Sequence, residues 1–148
     1  MEKYRFSEEA FRLMEDSAIP FAVYQFINKR VVTLVVSAGF CRLLGYEDKA
    51  QVYWDMDNDM YKDTHPEDRA RIAGAAFRFA TEDEGYDISY RTRDSESGGY
   101  RIVHAIGKHI TRPGGARLAY VSYTDEGLYR ESGEDNLPIH VAIRWMKR

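Results

Sequence analysis

The sequence is poor in cysteine and has no long apolar run. Its one cysteine, Cys41, cannot form a disulfide within the chain, so nothing indicates the oxidising environment of secreted proteins. No stretch approaches the roughly 18 consecutive apolar residues that span a bilayer, and the N-terminus lacks the apolar core of a signal peptide. We therefore expect a cytoplasmic protein with no membrane segment in this chain.

Clustered basic residues and catalytic motifs are also missing. Lysine and arginine are interspersed with acidic residues and the net charge is -3 at pH 7, so we expect no nucleic-acid partner. The chain has no G-x-S-x-G elbow, Walker loop or dinucleotide fingerprint, which argues against an enzyme. Its four histidines lack the spacing of paired metal ligands, and the calcium-like series Asp55, Asp57 and Asp59 lacks the glycine that such a loop needs at Met60. We expect no metal site and interpret the acidic series as a solvated loop.

The first part of the chain predicts a helix and a hairpin. With 148 residues, of which 44% are hydrophobic, one globular domain is expected. Ser7 is positioned to cap a helix over residues 7–16. Two runs rich in β-branched and aromatic residues, 21–27 and 31–36, are separated by polar turn residues and predict a β-hairpin.

Helices are predicted to follow this hairpin. Ser37 can cap a short helix, and residues 47–62 are predicted to form loops and short helical turns. Thr64 and Glu67 have the spacing of a capping box, which predicts the start of a longer helix over residues 66–80.

The second half of the chain predicts three strands. Apolar residues alternate with polar ones over residues 86–91, 100–111 and 117–124, and short glycine-containing turns separate these runs. Strands joined by tight turns must be antiparallel. The sequence therefore predicts an α+β fold, a five-stranded antiparallel sheet with short helices inserted after the second strand and an N-terminal flanking helix.

Several segments carry a resemblance to a known family. They are Ile19-Pro20-Phe21-Ala22-Val23, Phe40-Cys41-Arg42-Leu43-Leu44-Gly45-Tyr46, His65-Pro66-Glu67-Asp68-Arg69, Tyr90-Arg91 and Tyr123-Thr124-Asp125. In their order and spacing, these segments resemble the PAS family of signalling domains over most of the chain. The chain departs from the family at Ser37, where an asparagine is usual, and at its closing Tyr-Thr-Asp, where Asp-Ile-Thr is more frequent.

This resemblance implies a sensory module and a division of the chain. Residues 1–16 would form a flanking helix, residues 17–125 the PAS-like sensory domain, and residues 126–148 a linker or tail toward an output domain. The output implied is an enzyme that makes or degrades cyclic diguanylate, or a histidine kinase. The module would act by binding a small ligand, by forming a homodimer, or by both.

The alternation of the strands and the helix faces suggests a ligand pocket between helices and sheet, although the same residues could simply fill a core. The candidates are Tyr24, Phe26, Phe40, Leu44, Trp54, Ile72, Phe77, Tyr90, Val103 and Tyr123. The cofactor or ligand is left unassigned. Cys41 lies on an earlier helix than the flavin-attacking cysteine of light-sensing relatives, so we expect a small buried thiol. Arg69 and Arg91 could meet an anionic ligand, but exposed ion pairs are expected for both.

Two other functions are compatible with this pattern. A constitutive protein–protein interaction domain would have a fully packed interior and bind no small molecule. A small-molecule isomerase or cyclase with a similar curved sheet would need a buried carboxylate or histidine facing a cavity, and no acid alternates into the predicted pocket.

Overall fold

A computed structural model describes residues 2–130 of the protein. The elements in chain order are α1 (Glu8–Glu15), β1 (Phe21–Ile27), β2 (Arg30–Val36), α2 (Ala38–Leu43), α3 (Lys49–Asn58), α4 (Pro66–Thr81), β3 (Tyr86–Arg93), β4 (Tyr100–Thr111) and β5 (Arg117–Leu128). The five strands form one antiparallel sheet in the order β2-β1-β5-β4-β3. This confirms the α+β fold predicted from the sequence.

The turn between β1 and β2 is the tight turn that the polar residues predicted. Asn28 and Lys29 have φ angles of 51° and 65°, so both central residues are left-handed. This geometry matches the right-handed twist of a two-residue hairpin. Ile27 pairs with Arg30 directly across the turn, and this pairing sets the register of the hairpin.

The last strand is longer than predicted. β5 continues past Thr124 because Asp125 pairs with Val103 and Leu128 pairs with Arg101 of β4. The first residues of the predicted 126–148 linker therefore belong to the sheet. Residues 131–148, the rest of that predicted linker, lie outside the described part of the chain.

The helix starts are held by side-chain caps. Ser37 caps α2 as predicted, since its Oγ accepts hydrogen bonds from the N–H groups of Phe40 and Phe21, both at 3.0 Å. α4 begins at Pro66 as predicted, but Thr64 is not its cap. His65 is the cap, because its Nδ1 accepts a hydrogen bond from the Glu67 N–H at 3.1 Å. Thr64 instead pairs with Thr92 of β3 as an isolated β-bridge.

The region predicted as loops and short turns contains a helix of 10 residues, α3. Its buried side chains are Val52, Asp55 and Met56. The carboxylate in the middle of this inward stripe interrupts the apolar period, which explains why the sequence pattern did not predict a regular helix.

Two clusters of apolar side chains lie on opposite faces of the sheet. The larger cluster fills the space between the sheet and helices α2, α3 and α4, and it includes Cys41, a buried thiol as predicted. The smaller cluster lies on the other face, where Phe11 and Met14 of α1 pack against buried side chains of β1, β2 and β5. The larger cluster encloses the candidate site.

Candidate functional site

A cavity of about 250 Å³ lies between the inner face of the sheet and α4. Its lining residues are Tyr24, Gln25, Phe26, Val31, Met60, Tyr61, Ala76, Phe79, Ala80, Tyr86, His109, Gly115, Arg117, Ala119 and Tyr123. Gly115 and Arg117 are exposed and lie on its rim. A smaller space of about 60 Å³ shares Met60, Tyr61, Tyr86 and Tyr123 with the cavity and extends toward α2 and α3.

Tyrosine dominates the polar lining of these two spaces. Strand alternation brings Tyr24, Tyr86, Tyr90 and Tyr123 to the face that the helices cover, and Tyr61 joins them from the segment after α3. The hydroxyls of Tyr24 and Tyr123 share a hydrogen bond of 2.8 Å. The cavity is thus an aromatic chamber with several hydroxyl groups.

The environment of these tyrosines keeps them neutral. Loss of hydration raises the pKa of Tyr24, Tyr86, Tyr90 and Tyr123, and proximity of the phenols to one another raises these pKa values further. Burial alone raises the pKa of Tyr61. The phenols are therefore hydrogen-bonding groups at neutral pH and do not serve as bases.

A buried carboxylate stands at the wall of the smaller space. Asp55 is 3% exposed and accepts hydrogen bonds from the Tyr46 hydroxyl at 2.6 Å and the Gln51 amide at 2.7 Å, while Lys62 Nζ lies 3.0 Å away. Burial raises the pKa of Asp55, but these partners outweigh burial and lower the pKa overall. The interpretation of Asp55 as part of a solvated loop is therefore wrong, and so is the expectation that no acid reaches the predicted pocket.

A buried ion pair joins α4 to the edge of the sheet. Arg91 of β3 is 7% exposed, and Asp68 accepts hydrogen bonds from its backbone N–H at 2.9 Å, from Nε at 3.0 Å and from Nη2 at 2.8 Å. The prediction of an exposed ion pair for Arg91 is wrong. Arg69 donates to the carbonyl oxygens of Thr64 and Lys62. Neither arginine lines the cavity.

Seven of the ten predicted pocket residues line one of the two spaces. Tyr24, Phe26 and Tyr123 line the larger one, and Phe40, Leu44, Ile72 and Tyr90 line the smaller one. Val103 is fully buried in the same apolar cluster but lines neither space.

Trp54 and Phe77 do not face the cavity, and their predicted placement is wrong. They are 60% and 63% exposed. On α4 the buried residues are Asp68, Ile72 and Phe79, so the helical period turns Phe77 outward. On α3 the buried residues are Val52, Asp55 and Met56, so the helical period turns Trp54 outward as well.

The sequence prediction missed several lining residues, among them Met60, Tyr61, Phe79, Tyr86 and His109. For two of these residues, the spacing in the sequence was sufficient to predict an inward direction. Phe79 follows Ile72 by seven residues, the spacing of one helix face, and Tyr86 precedes Tyr90 by four, the spacing of one strand face. Met60 and Tyr61 lie between helices, where no periodicity predicts their direction.

His109 forms part of the cavity wall beside α4. Its Nε2 is 2.6 Å from the carbonyl oxygen of Phe79, and the two rings are 4.2 Å apart. A carbonyl oxygen only accepts, so Nε2 carries the proton in the neutral imidazole. These two contacts of His109 join β4 to the C-terminal part of α4.

The fold is an antiparallel sheet with helices over one face and a cavity between the sheet and α4. Residues 33–123 match the family model described as PAS fold, and the chain belongs to this family. PAS domains are sensory modules.

Solved structures with the same fold include a LOV protein of Rhodobacter sphaeroides, 17% identical with a TM-score of 0.61 over 86% of this chain and 69% of that one. They also include the PAS domain of an HTR-like protein from Haloarcula marismortui, 17% identical with a TM-score of 0.55 over 80% of this chain and 90% of that one. A PAS domain from a two-component sensor histidine kinase is 18% identical, with a TM-score of 0.53 over 80% of this chain and 94% of that one. No curated protein sequence matches. At these identities the similarity shows the fold alone.

Within residues 2–130, no helix has the length and apolar character needed to cross a bilayer. No cluster of three or more histidine, cysteine or acidic side chains that could hold a metal ion occurs in this part of the chain.

Proposed function

We propose that this PAS domain is the sensory part of a cytoplasmic bacterial signalling protein and that its signal is a small molecule bound in the cavity. The cavity of about 250 Å³ carries this proposal. Its volume corresponds to about eight water molecules at roughly 30 Å³ each, which suits a small metabolite better than a dinucleotide. The domain has no catalytic part in this scheme and regulates an attached output domain.

Two kinds of output domain are included in the proposal. One makes or degrades cyclic diguanylate, and the other is a histidine kinase. Assay of the natural protein for diguanylate synthesis or hydrolysis and for autophosphorylation distinguishes these outputs. Ligand binding in the PAS domain is expected to change the rate of whichever reaction is found.

The binding proposal is tested by thermal unfolding against a panel of metabolites. A ligand at 100 times its Kd stabilises a protein by about 2.7 kcal/mol, which raises Tm by several degrees. Ala76 lines the cavity, and Ala73 lies exposed on the same helix. Ala76→Leu is expected to abolish the shift, and Ala73→Leu to keep it. A ligand whose shift survives in Ala76→Leu would bind elsewhere and contradict the proposal.

We also propose that the domain forms a homodimer through α1 and the segment that follows it. Leu13 and Ile19 are 75% and 64% exposed, and a shallow groove lined by Leu13, Met14 and Phe21 lies between α1 and β1. Large apolar side chains exposed together suit a second copy of the chain. Light scattering is expected to give the mass of a dimer, and Leu13→Glu to give that of a monomer. A monomer at high protein concentration would contradict this part.

A constitutive interaction domain is the alternative, and two exposed side chains favour it. Ile106 and Ile110 are 40% and 43% exposed, and both are directed to the face of the sheet opposite the helices. For this alternative, no metabolite would shift the Tm, and binding of a partner protein would be lost in Ile106→Asp and retained in Ala76→Leu.

A further inference from the structure

Three tyrosine hydroxyls of the two spaces lack a protein partner. Within residues 2–130 no hydrogen bond joins the hydroxyl of Tyr61, Tyr86 or Tyr90 to another group, whereas Tyr24 and Tyr123 bond to each other. Tyr86 and Tyr90 are each 9% exposed. Tyrosine hydroxyls buried to this degree normally find a partner. The hydroxyls of Tyr61 and Tyr86 are therefore available to acceptor atoms of water or of a ligand in the cavity, and the hydroxyl of Tyr90 is available in the adjoining smaller space.

The arginine on the rim of the cavity and the lysine beside the smaller space already have partners. Arg117 is on the rim, where its guanidinium lies 3.8 Å from Asp83 and donates to the carbonyl oxygen of Glu82. At the other end, Lys62 is paired with Asp55. An anion placed among the three phenols would lose its hydration without gaining an unpaired cation. An uncharged ligand with acceptor atoms avoids this cost.

The apolar walls indicate the shape of the ligand. Phe79 is stacked on Tyr86 with ring centroids 5.3 Å apart and planes 25° apart, so α4 and β3 contribute two aromatic rings of similar orientation to the cavity wall. Ala76 and Ala119 line the cavity with side chains too short to fill it. A flat ring can therefore lie along the aromatic surface without displacing a side chain.

We propose that the cavity, together with the smaller space that adjoins it, binds a small, uncharged, planar heteroaromatic or carbonyl compound whose acceptor atoms take hydrogen bonds from Tyr61, Tyr86 and Tyr90. This inference rests on the proposed function, because it names the ligand class of the same cavity. The stacked rings of Phe79 and Tyr86 hold the flat face of the ligand, and the hydroxyls select for acceptor atoms over a hydrocarbon of the same shape.

The test compares three bicyclic probes of similar size by protein-observed NMR titration at equal concentrations. Quinoline has a ring nitrogen that accepts, naphthalene has the same shape without an acceptor, and 2-naphthoate carries a negative charge. Quinoline is expected to bind about tenfold more tightly than naphthalene, the effect of one good hydrogen bond. Tyr86→Phe and Tyr90→Phe are expected to reduce this preference. Tyr120→Phe removes a hydroxyl from the opposite face of the sheet and is expected to leave the preference unchanged.

Each other outcome overturns the ligand class. Equal affinity for quinoline and naphthalene would show an accessible apolar cavity without selection by the hydroxyls. Tighter binding of 2-naphthoate would assign the cavity to anions. In both cases the cavity still binds a ligand and the proposed function stands. If none of the three probes binds, the proposed ligand class is also wrong. The proposed function is then tested by the metabolite panel with its Ala76→Leu control.

Discussion

The hydrogen bonds that Arg91 makes with Asp68 and His65 satisfy backbone groups at the edge of the sheet. β3 is the outermost strand on its side, and its backbone would otherwise offer free donors and acceptors. The Asp68 carboxylate accepts a hydrogen bond from the Arg91 N–H, and the Arg91 carbonyl oxygen accepts one from the His65 N–H at 2.9 Å. Burial raises the pKa of Asp68, but the side-chain and backbone hydrogen bonds from Arg91 outweigh burial and lower it overall. The carboxylate is thus stabilised in its charged form.

Asp68→Asn is expected to lower the free energy of unfolding by about 3 kcal/mol at pH 7, because it removes the buried counter-ion of Arg91 and leaves the exposed Glu67 as the nearest carboxylate. The folded-state pKa of Asp68 lies below the ordinary value of 3.8, so its contribution is present above that value and is lost as the pH falls through the folded pKa. Urea unfolding from pH 7 to pH 3 should show a constant gap between the two proteins down to about pH 5 and a narrowing gap below about pH 4.

The exposed Glu67 provides a control for this ion pair. Its side chain is 75% exposed although it also contacts Arg91 at 3.3 Å. Glu67→Gln is expected to change the stability by less than about 0.5 kcal/mol. A cost for Glu67→Gln that equals that of Asp68→Asn would contradict the role assigned to the buried carboxylate.

Gly39 marks a close approach between α2 and the segment before β1. A Cβ at this position would overlap the carbonyl group of Ala18 and lie 2.7 Å from the carbonyl carbon of Ile19. Gly39→Ala is expected to lower the free energy of unfolding by about 2 kcal/mol in chemical denaturation. Gly85→Ala meets nothing within 4 Å and is the matched control, with an expected change below about 1 kcal/mol. Equal stability of the two variants would show that the segment before β1 moves freely away from α2.

At the scale of elements, one tyrosine connects α1, which flanks the sheet, to α3, which lines the smaller space beside the cavity. The Tyr53 hydroxyl on α3 donates to Glu15 of α1 at 2.7 Å and accepts from the Val36 N–H of β2 at 3.1 Å. Lys49 adds a second contact to Glu15 at 3.4 Å. A displacement of α3 by a ligand would therefore act on α1.

Tyr53→Phe is expected to release α1 from α3 while the apolar packing of the ring is kept. Loss of the hydroxyl leaves the Val36 N–H without this acceptor, with an expected cost of about 1–2 kcal/mol. Hydrogen–deuterium exchange should become faster in α1 than in the native chain. Tyr120→Phe is the control, since its hydroxyl makes no hydrogen bond within residues 2–130. Unchanged exchange in α1 would contradict the connection.

The elements differ in how well the sequence predicts them. β1 and β2 are predicted well because strand alternation and a two-residue polar turn are local features of the chain. α3 is missed because Asp55 occupies its inward face, and the burial of Asp55 depends on Tyr46 and Lys62, which lie outside the helix. The prediction for Trp54 is wrong for the same reason. Its outward direction follows from the helical repeat of α3, which the sequence pattern did not predict.

At the scale of the whole molecule, the candidate site is made of residues that no local pattern brings together. Tyr24, Tyr61, Tyr86 and Tyr123 come from three strands and one connecting segment. Alternation predicts that a strand tyrosine faces inward, but the space left between inward side chains depends on every neighbour. The presence of a cavity, and of unpartnered hydroxyls around it, is therefore a property of the fold. The sequence predicts the family and part of the lining.

The central claim is that a PAS domain with this cavity holds a small molecule. Native mass spectrometry of the protein purified without unfolding tests it most directly. We predict a one-to-one non-covalent adduct that is retained in Ala73→Leu and lost in Ala76→Leu, with both variants folded by circular dichroism. An adduct of equal abundance in both variants would contradict the claim. So would the absence of any adduct from the native chain, if no metabolite added to it then formed one.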